Sequence, residues 1–191
     1  MRDIPQGEPE QPWQGFLREL DAALNAPVEL VCLGGFVVAL AYGAGRATSD
    51  IDVLSVRGEG SDDVDALAGL GSMLHRRHRL YLQRVGIATP PANFETRLRP
   101  LAGSAPWRHL RLKVLDPIDL ALTKVERNAE VDRRDVIALA RAGWLDAATF
   151  RVRYAEEVAP YLLAHRARHD DTAESFARLI EASGSVPPGR R

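Results

Sequence analysis

Apolar positions along the chain fall first at helical spacing, then in short strand-like runs, and after Leu115 at helical spacing again. Trp13, Phe16, Leu17, Leu20 and Leu24 share one stripe and predict a helix through "PWQGFLRELDAAL". The uninterrupted run "VELVCL" predicts a buried strand, which the paired glycines Gly34 and Gly35 end. "FVVALAYG" predicts a short helix closed at Gly43 or Gly45, and "DIDVLSV" the next strand. A third helix is predicted in "SDDVDALAGLGSMLHRRHRL", started by Ser61 or Asp62 and interrupted by its internal glycines. "LYLQRVGI", "NFETRLRPL" and "HLRLKVL" alternate enough for strands, giving a sheet of about four or five.

The second half reads as helix throughout. "DPIDLALTKVERN" offers Asp116 as N-cap, Pro117 at the first helical position and an acid at the third, which together signal a helix start. "DRRDVIALARAGW" predicts a helix that stops at Gly143, and "DAATFRVRYAEEVAPYLLAHRARH" a long one that Pro160 should kink or break. The Pro-, Gly- and polar-rich ends, residues 1–11 and 183–191, read as disordered tails. The expected organisation is an α/β domain over residues 12–115 and a helical segment over 116–182, with no internal repeat.

Composition narrows the function classes. No run approaches the roughly 20 apolar residues of a membrane span, and "MRDIPQGEPEQPW" lacks the apolar core of a signal peptide, so a cytoplasmic protein is expected. Cys32 is the only cysteine, which rules out an intramolecular disulfide and a multi-Cys zinc site; its apolar run suits a small core residue better than a nucleophile. The net charge of -1 predicts no strong overall pull on nucleic acid, although local patches remain open. Among 25 basic residues only Lys113 and Lys124 are lysines, so a lysine at a motif position carries more information than an arginine.

The polar residues of "LGGFVVALAYGAGRATSDIDVLSV" are concentrated at two points. On a strand, Asp50 and Asp52 point one way while Ile51 and Val53 point into the core. Two neighbouring carboxylates repel one another unless something positive sits between them, and Mg²⁺ favours one or two carboxylates with waters and phosphate oxygens. A Gly-Gly pair between strand and helix admits phosphate oxygens to backbone N–H groups, and the following helix offers its positive end. Arg46 and Thr48 add a phosphate-directed charge and a hydroxyl. Together these features fit metal-assisted phosphoryl or nucleotidyl transfer. Taken singly they read otherwise, with Asp50 a turn residue, Asp52 solvated and Gly-Gly a common turn.

"GGFVVALAYGAGRATSDIDV" resembles the signature of the DNA polymerase β-type nucleotidyltransferase superfamily, a Gly-Gly or Gly-Ser at a helix start followed by an acid-x-acid strand. Its "RATSDID" is most similar to the AbiEii-like nucleotidyltransferases, toxin components of bacterial toxin–antitoxin and abortive-infection systems. "DPIDLALTKVERNAEVDRRDV" resembles that family's Asp-Leu-x-x-x-Lys helix and the Lys/Arg-Asp-x-x-Asp segment after it. The resemblance covers residues 28–141 and implies an α/β (α+β) nucleotidyltransferase fold, a small mixed sheet with flanking helices followed by a C-terminal helical segment. It implies that Gly34 and Gly35 hold the triphosphate, that Asp50 and Asp52 bind Mg²⁺, and that Lys124 reaches the triphosphate with Asp119 one turn behind it. Asp116 and Asp119 are also explained as helix N-terminal residues, and Asp132 and Asp135 as a cap or salt bridge on the next helix.

The superfamily's third carboxylate, on a later strand, has no counterpart in "HLRLKVL", whose polar positions are Arg111 and Lys113. Glu95 is the best substitute and Asp116 the second. The implied function is nucleotide transfer from a nucleoside triphosphate to an RNA or protein acceptor, as the toxin of a toxin–antitoxin system with a cognate partner protein. The rival is a catalytically degenerate binding protein, partner or regulator in such a pair. An aminoglycoside-modifying transferase shares the fold, but the helical half lacks an evident acidic cleft. The cluster "HRRHR" at His75–Arg79 suits a solvated helix end, or a contact with RNA or an acidic partner.

Overall fold

The computed structural model describes residues 13–45, 48–86, 88–101 and 107–184. It divides into two compact units, one of residues 13–41, 48–86, 98–101 and 107–115, the other of 42–45, 88–97 and 116–184. Arg46 and the N-terminal tail lie outside the described residues.

The first unit holds a five-stranded mixed sheet with flanking helices, in the order β3-β2-β1-β5-β4. Its elements are α1 (Trp13–Ala23), β1 (Val28–Leu33), α2 (Gly34–Leu40), β2 (Asp50–Arg57), α3 (Val64–Ala68), α4 (Met73–His78), β3 (Tyr81–Arg84), β4 (Arg99–Pro100) and β5 (Leu110–Val114). β1 pairs antiparallel with β2 and parallel with β5, while β3 runs parallel to β2 at the sheet's edge. The α1 stripe buries Trp13, Phe16, Leu17 and Leu20, and Trp13 meets Phe36 of α2 edge-to-face with ring centroids 4.9 Å apart. Asp21 at the end of α1 accepts the backbone N–H groups of Arg108, His109 and Leu110 at 2.9, 2.8 and 2.7 Å, which fixes where β5 begins.

Two sequence expectations change before Leu115. The third helix is two short ones: Gly71 takes φ 87°, and Ser72 then caps α4 by accepting the His75 N–H at 3.1 Å. The strand expected through "NFETRLRPL" is instead a 3-10 turn at Phe94–Arg97, entered through Asn93 at φ 62°, and only Arg99–Pro100 pairs with the sheet. Alternation along that stretch was real, but the Arg97 side chain is held by ion pairs far away in sequence, and these decide the backbone path.

The second unit is helical: α5 (Pro117–Leu122), α6 (Glu130–Arg141), α7 (Ala147–Arg153) and α8 (Arg166–Gly184). Asp116 caps α5 by accepting the Ile118 N–H at 3.1 Å, with Pro117 at the first helical position. Gly143 leaves α6 at φ 75°. The long helix through Pro160 is interrupted earlier than the proline alone requires, since α7 widens into a π turn at Tyr154–Val158 and then a 3-10 turn. After His165 at φ 55°, α8 starts afresh and runs on through Ser183 and Gly184, which composition had assigned to a tail. Its buried positions 169, 172, 173, 176, 177, 180 and 183 form one face at helical spacing, with Phe176 and Ile180 in the unit's core. No helix among the described residues is long and apolar enough to cross a membrane.

Candidate active site

β1 runs directly into α2, and the junction is the Gly34-Gly35 pair. Gly34 takes φ +72°, and a Cβ built there would stand 2.0 Å from Oδ2 of Asp52. Only glycine allows the Asp52 carboxylate to lie this close to the strand-to-helix turn. At Gly35 the nearest atom to a Cβ would be Cβ of Thr48 at 3.7 Å, an ordinary contact, so the described neighbours do not forbid a side chain there.

The burial of β2 alternates at its start: Ile51 and Val53 are buried, while Asp50 and Asp52 are half-exposed on the opposite face. Register extends that face across the sheet. Leu33 pairs with Asp52, and Tyr81 and Gln83 of β3 pair with Asp50 and Asp52. The ladder between β1 and β2 shifts between Val31 and Cys32, which leaves Leu54 as an extra residue. A bulge here turns the acid-bearing end of β2 relative to the rest of the strand. Thr48 donates its hydroxyl to Oδ1 of Asp50, so the loop residue orients the first acid of the pair.

Lys113 and Arg111 occupy the same face, because Lys113 pairs with Val31 and Arg111 with Glu29. The Lys113 ammonium lies 2.9 Å from Glu29. Glu29 is four residues before Leu33 on β1, roughly 13 Å away at the rise of an extended strand. Lys113 thus satisfies Glu29 rather than the Asp50–Asp52 end of the sheet. Cys32 is fully buried on the core face; burial, and then the charge of Asp52, push its thiol well above the usual range, which removes it as a nucleophile.

The second unit holds the remaining expected residues. Lys124 is buried, its ammonium 2.7 Å from Asp135 and 3.5 Å from Asp132. Asp132 also accepts from the Ala129 N–H at 2.9 Å and from Arg127. Burial would raise its carboxyl, but Arg127, Lys124 and that N–H hold it below the ordinary value. A phosphate on Lys124 would have to compete with both carboxylates. Asp119 is completely buried and bound by Arg97 at 2.8 and 3.1 Å and by Arg153 at 2.9 Å. Burial leaves its carboxyl above the ordinary value despite the two guanidinium groups. Arg97 also grips Glu157 at 2.6 Å and the Ala92 carbonyl at 3.2 Å, tying the Phe94–Arg97 turn to α5 and to the π turn.

Sequence reasoning gave Arg97 and Arg153 no role. Their only signal was two arginines in otherwise apolar or turn-like runs, without motif spacing. Glu95 is exposed on the 3-10 turn rather than on a strand, and Asp116 is engaged by its helix cap and by Arg153 at 2.8 Å. Among the described residues no three potential metal ligands cluster, so a metal at Asp50 and Asp52 would take its other donors from water and phosphate.

A family model described as "Nucleotidyltransferase of unknown function" (DUF6036) matches residues 16–181. No curated protein and no solved structure matches the chain.

Proposed function

The chain belongs to the DUF6036 family of nucleotidyltransferases of unknown function, and on that premise we propose that it moves a nucleotide from a nucleoside triphosphate to a hydroxyl of an RNA or protein acceptor with Mg²⁺. The observation that carries this reading is the placement of Asp50 and Asp52 on one sheet face, with the Asp52 carboxylate against the Gly34 turn. Asp50 and Asp52 form an all-oxygen donor pair, which fits Mg²⁺ and leaves positions for triphosphate oxygens. Bound there, Mg²⁺ would neutralise charge that builds on the phosphates as the bond to the leaving group stretches.

The chain's own part is to place the reactants. The Gly34-Gly35 turn presents backbone to the triphosphate, and Thr48 holds Asp50 in position. The acceptor oxygen attacks the α-phosphorus and forms the new O–P bond. The bridging bond to the β-phosphate breaks, pyrophosphate leaves with its electron pair, and the hydroxyl proton passes to solvent. Arg46, Lys124 and Asp119 remain in this reading as nucleotide-side residues, supported by the resemblance of their motifs. Glu95 remains its third carboxylate.

The similarity of "RATSDID" to toxin enzymes supports the finer reading, a toxin whose antitoxin is a cognate protein. A degenerate partner or regulator is the second reading, favoured by the cations Arg111 and Lys113 where an acid is expected. The Lys113–Glu29 pair weighs against it, because that ammonium is engaged elsewhere than on the acid pair. The test is incubation with each radiolabelled nucleoside triphosphate, Mg²⁺ and total bacterial RNA or protein, beside Asp52→Ala. Transfer that disappears in the variant supports the enzyme. Mg²⁺-dependent nucleotide binding without transfer to any acceptor supports the partner.

A further inference from the structure

The second unit carries a cavity that the transfer reading does not use. Its floor is the π turn at Tyr154–Val158, an uncommon element that recurs at functional positions. The Ala92 N–H donates to the Glu157 carbonyl of that turn at 2.9 Å. Asn93 at φ 62° then leads into the Phe94–Arg97 turn, and Arg97 grips both oxygens of the Glu157 carboxylate, at 3.2 and 2.6 Å. The cavity, of about 490 Å³, is lined by Pro90, Pro91, Phe94 and Glu95 and by Glu157 and Tyr161 among others, all within the second unit.

Its lining is short of donors. Pro90 and Pro91 have no N–H, and the N–H groups of Ala92, Phe94 and Thr96 are spent on the carbonyls of Glu157, Pro91 and Asn93. Thr96 donates its hydroxyl to the Asn93 carbonyl at 2.8 Å, and Thr89 donates its own to Glu126 at 3.2 Å, so both oxygens are left as acceptors. Glu95 is exposed and Glu157 half-buried, which adds two carboxylates, and the described lining holds no lysine, arginine or histidine. Arg97, behind the wall, is already divided among Asp119, Glu157 and the Ala92 carbonyl. Asn93 and the Tyr161 hydroxyl can donate or accept, so they decide nothing. Phe94 and Tyr161 supply aromatic rings, whose faces attract a cation.

We propose that this cavity binds a small organic cation, an ammonium or guanidinium on an apolar stem, with the charge on Glu95 and Glu157 and the stem against Phe94, Tyr161 and the two prolines. Charge complementarity selects the class. A phosphate or other anion would meet two carboxylates and no cation in the described lining, and a neutral apolar molecule would cover polar oxygens without giving them a donor. The volume lies in the range of small-molecule sites, which favours a free amine over the basic side chain of a protein. Binding is read without nucleotide or Mg²⁺, so it stands apart from nucleotidyl transfer and from any part Glu95 takes in it.

The test is a ligand-detected NMR titration of the full chain with phenethylamine, phenethyl alcohol and hydrocinnamate, three probes of similar stem that are positive, neutral and negative at neutral pH. A short peptide of glycine and arginine forms a fourth arm. Phenethylamine should bind saturably and about tenfold more tightly than the neutral or the negative probe. Glu95→Gln should weaken it about fivefold and Tyr161→Ala about threefold, both being exposed positions where the thermal midpoint should stay within a few degrees of wild type. No saturable binding of the amine, equal binding of the three small probes, or an amine affinity unchanged in both variants overturns the proposal. Binding of the peptide without the amine also overturns it and assigns the surface to a protein partner.

Discussion

The carboxylate of Asp52 lies against Gly34, so close that a Cβ on Gly34 would come within 2.0 Å of Oδ2. The second acid of the pair and the left-handed turn that starts α2 therefore specify one another. Gly34→Ala adds both the cost of φ +72° in a residue with a Cβ, about 1–2 kcal/mol, and a displacement of Asp52. Denaturant unfolding should show the stability loss, and nucleotide binding should fall at least tenfold. Gly35→Ala separates the two effects. With its nearest neighbour at 3.7 Å it should change stability by under about 0.5 kcal/mol, yet weaken nucleotide binding if backbone meets phosphate there.

Lys124 is the second test. Its ammonium is buried between Asp135 and Asp132, and removing one member of a buried pair leaves an uncompensated charge. Lys124→Met should cost about 3–5 kcal/mol in urea unfolding. Combining it with Asp135→Leu should recover a large part of that loss, because the pair is then replaced by apolar contact. Full stability in Lys124→Met, with only nucleotide binding reduced, would instead mark Lys124 as a phosphate ligand.

Arg97 carries a comparable role at greater sequence distance. It binds Asp119, which is completely buried, and Glu157 through separate edges of one guanidinium. Arg97→Lys cannot reproduce both contacts and should destabilise by about 2–4 kcal/mol in the same measurement. It should also raise the Asp119 carboxyl further, since burial already lifts it and Arg97 is the first influence opposing that.

Acid sensitivity follows from carboxylates held below their ordinary values. Asp132 is depressed below 3.8, and Glu174, through its hydrogen bond to Arg151, lies at about 2 against an ordinary 4.5. A depressed acid stabilises fully above its unfolded value, and the contribution disappears as pH falls through the folded one. Asp119 has the opposite sign, being raised, so its ionised form opposes folding and its protonation does not. Unfolding midpoints measured from about pH 6 down to about pH 2 should therefore fall, and Asp132→Asn should make that decline shallower. An unchanged slope in the variant would remove Asp132 from the acid response.

What the sequence disclosed depended on range. The α1 stripe, the "VELVCL" strand, the Gly-Gly turn and the Asp116-Pro117 helix start are local patterns, and each appears in the structure within a few residues of its expected place. The one-face placement of Asp50 and Asp52 follows from strand alternation alone. The Phe94–Arg97 turn and the separate α8 were not legible. Arg97 is held by partners 22 and 60 residues away, and α8 begins after a left-handed His165 that no Gly or Pro announces. Lys124 shows the same limit at a functional position. Its motif spacing was visible, but its burial between two aspartates of α6 depends on how the helices pack.

The central claim is that Asp50 and Asp52 form the metal and nucleotide site. The most direct measurement is calorimetric titration of each nucleoside triphosphate into wild type and Asp50→Asn/Asp52→Asn, with and without Mg²⁺, alongside the thermal midpoint of both proteins. The account predicts Mg²⁺-dependent binding of at least one nucleotide in wild type, and its loss by tenfold or more in a variant that melts within a few degrees of it. Equal nucleotide affinity in the two proteins, or binding indifferent to Mg²⁺, would contradict it.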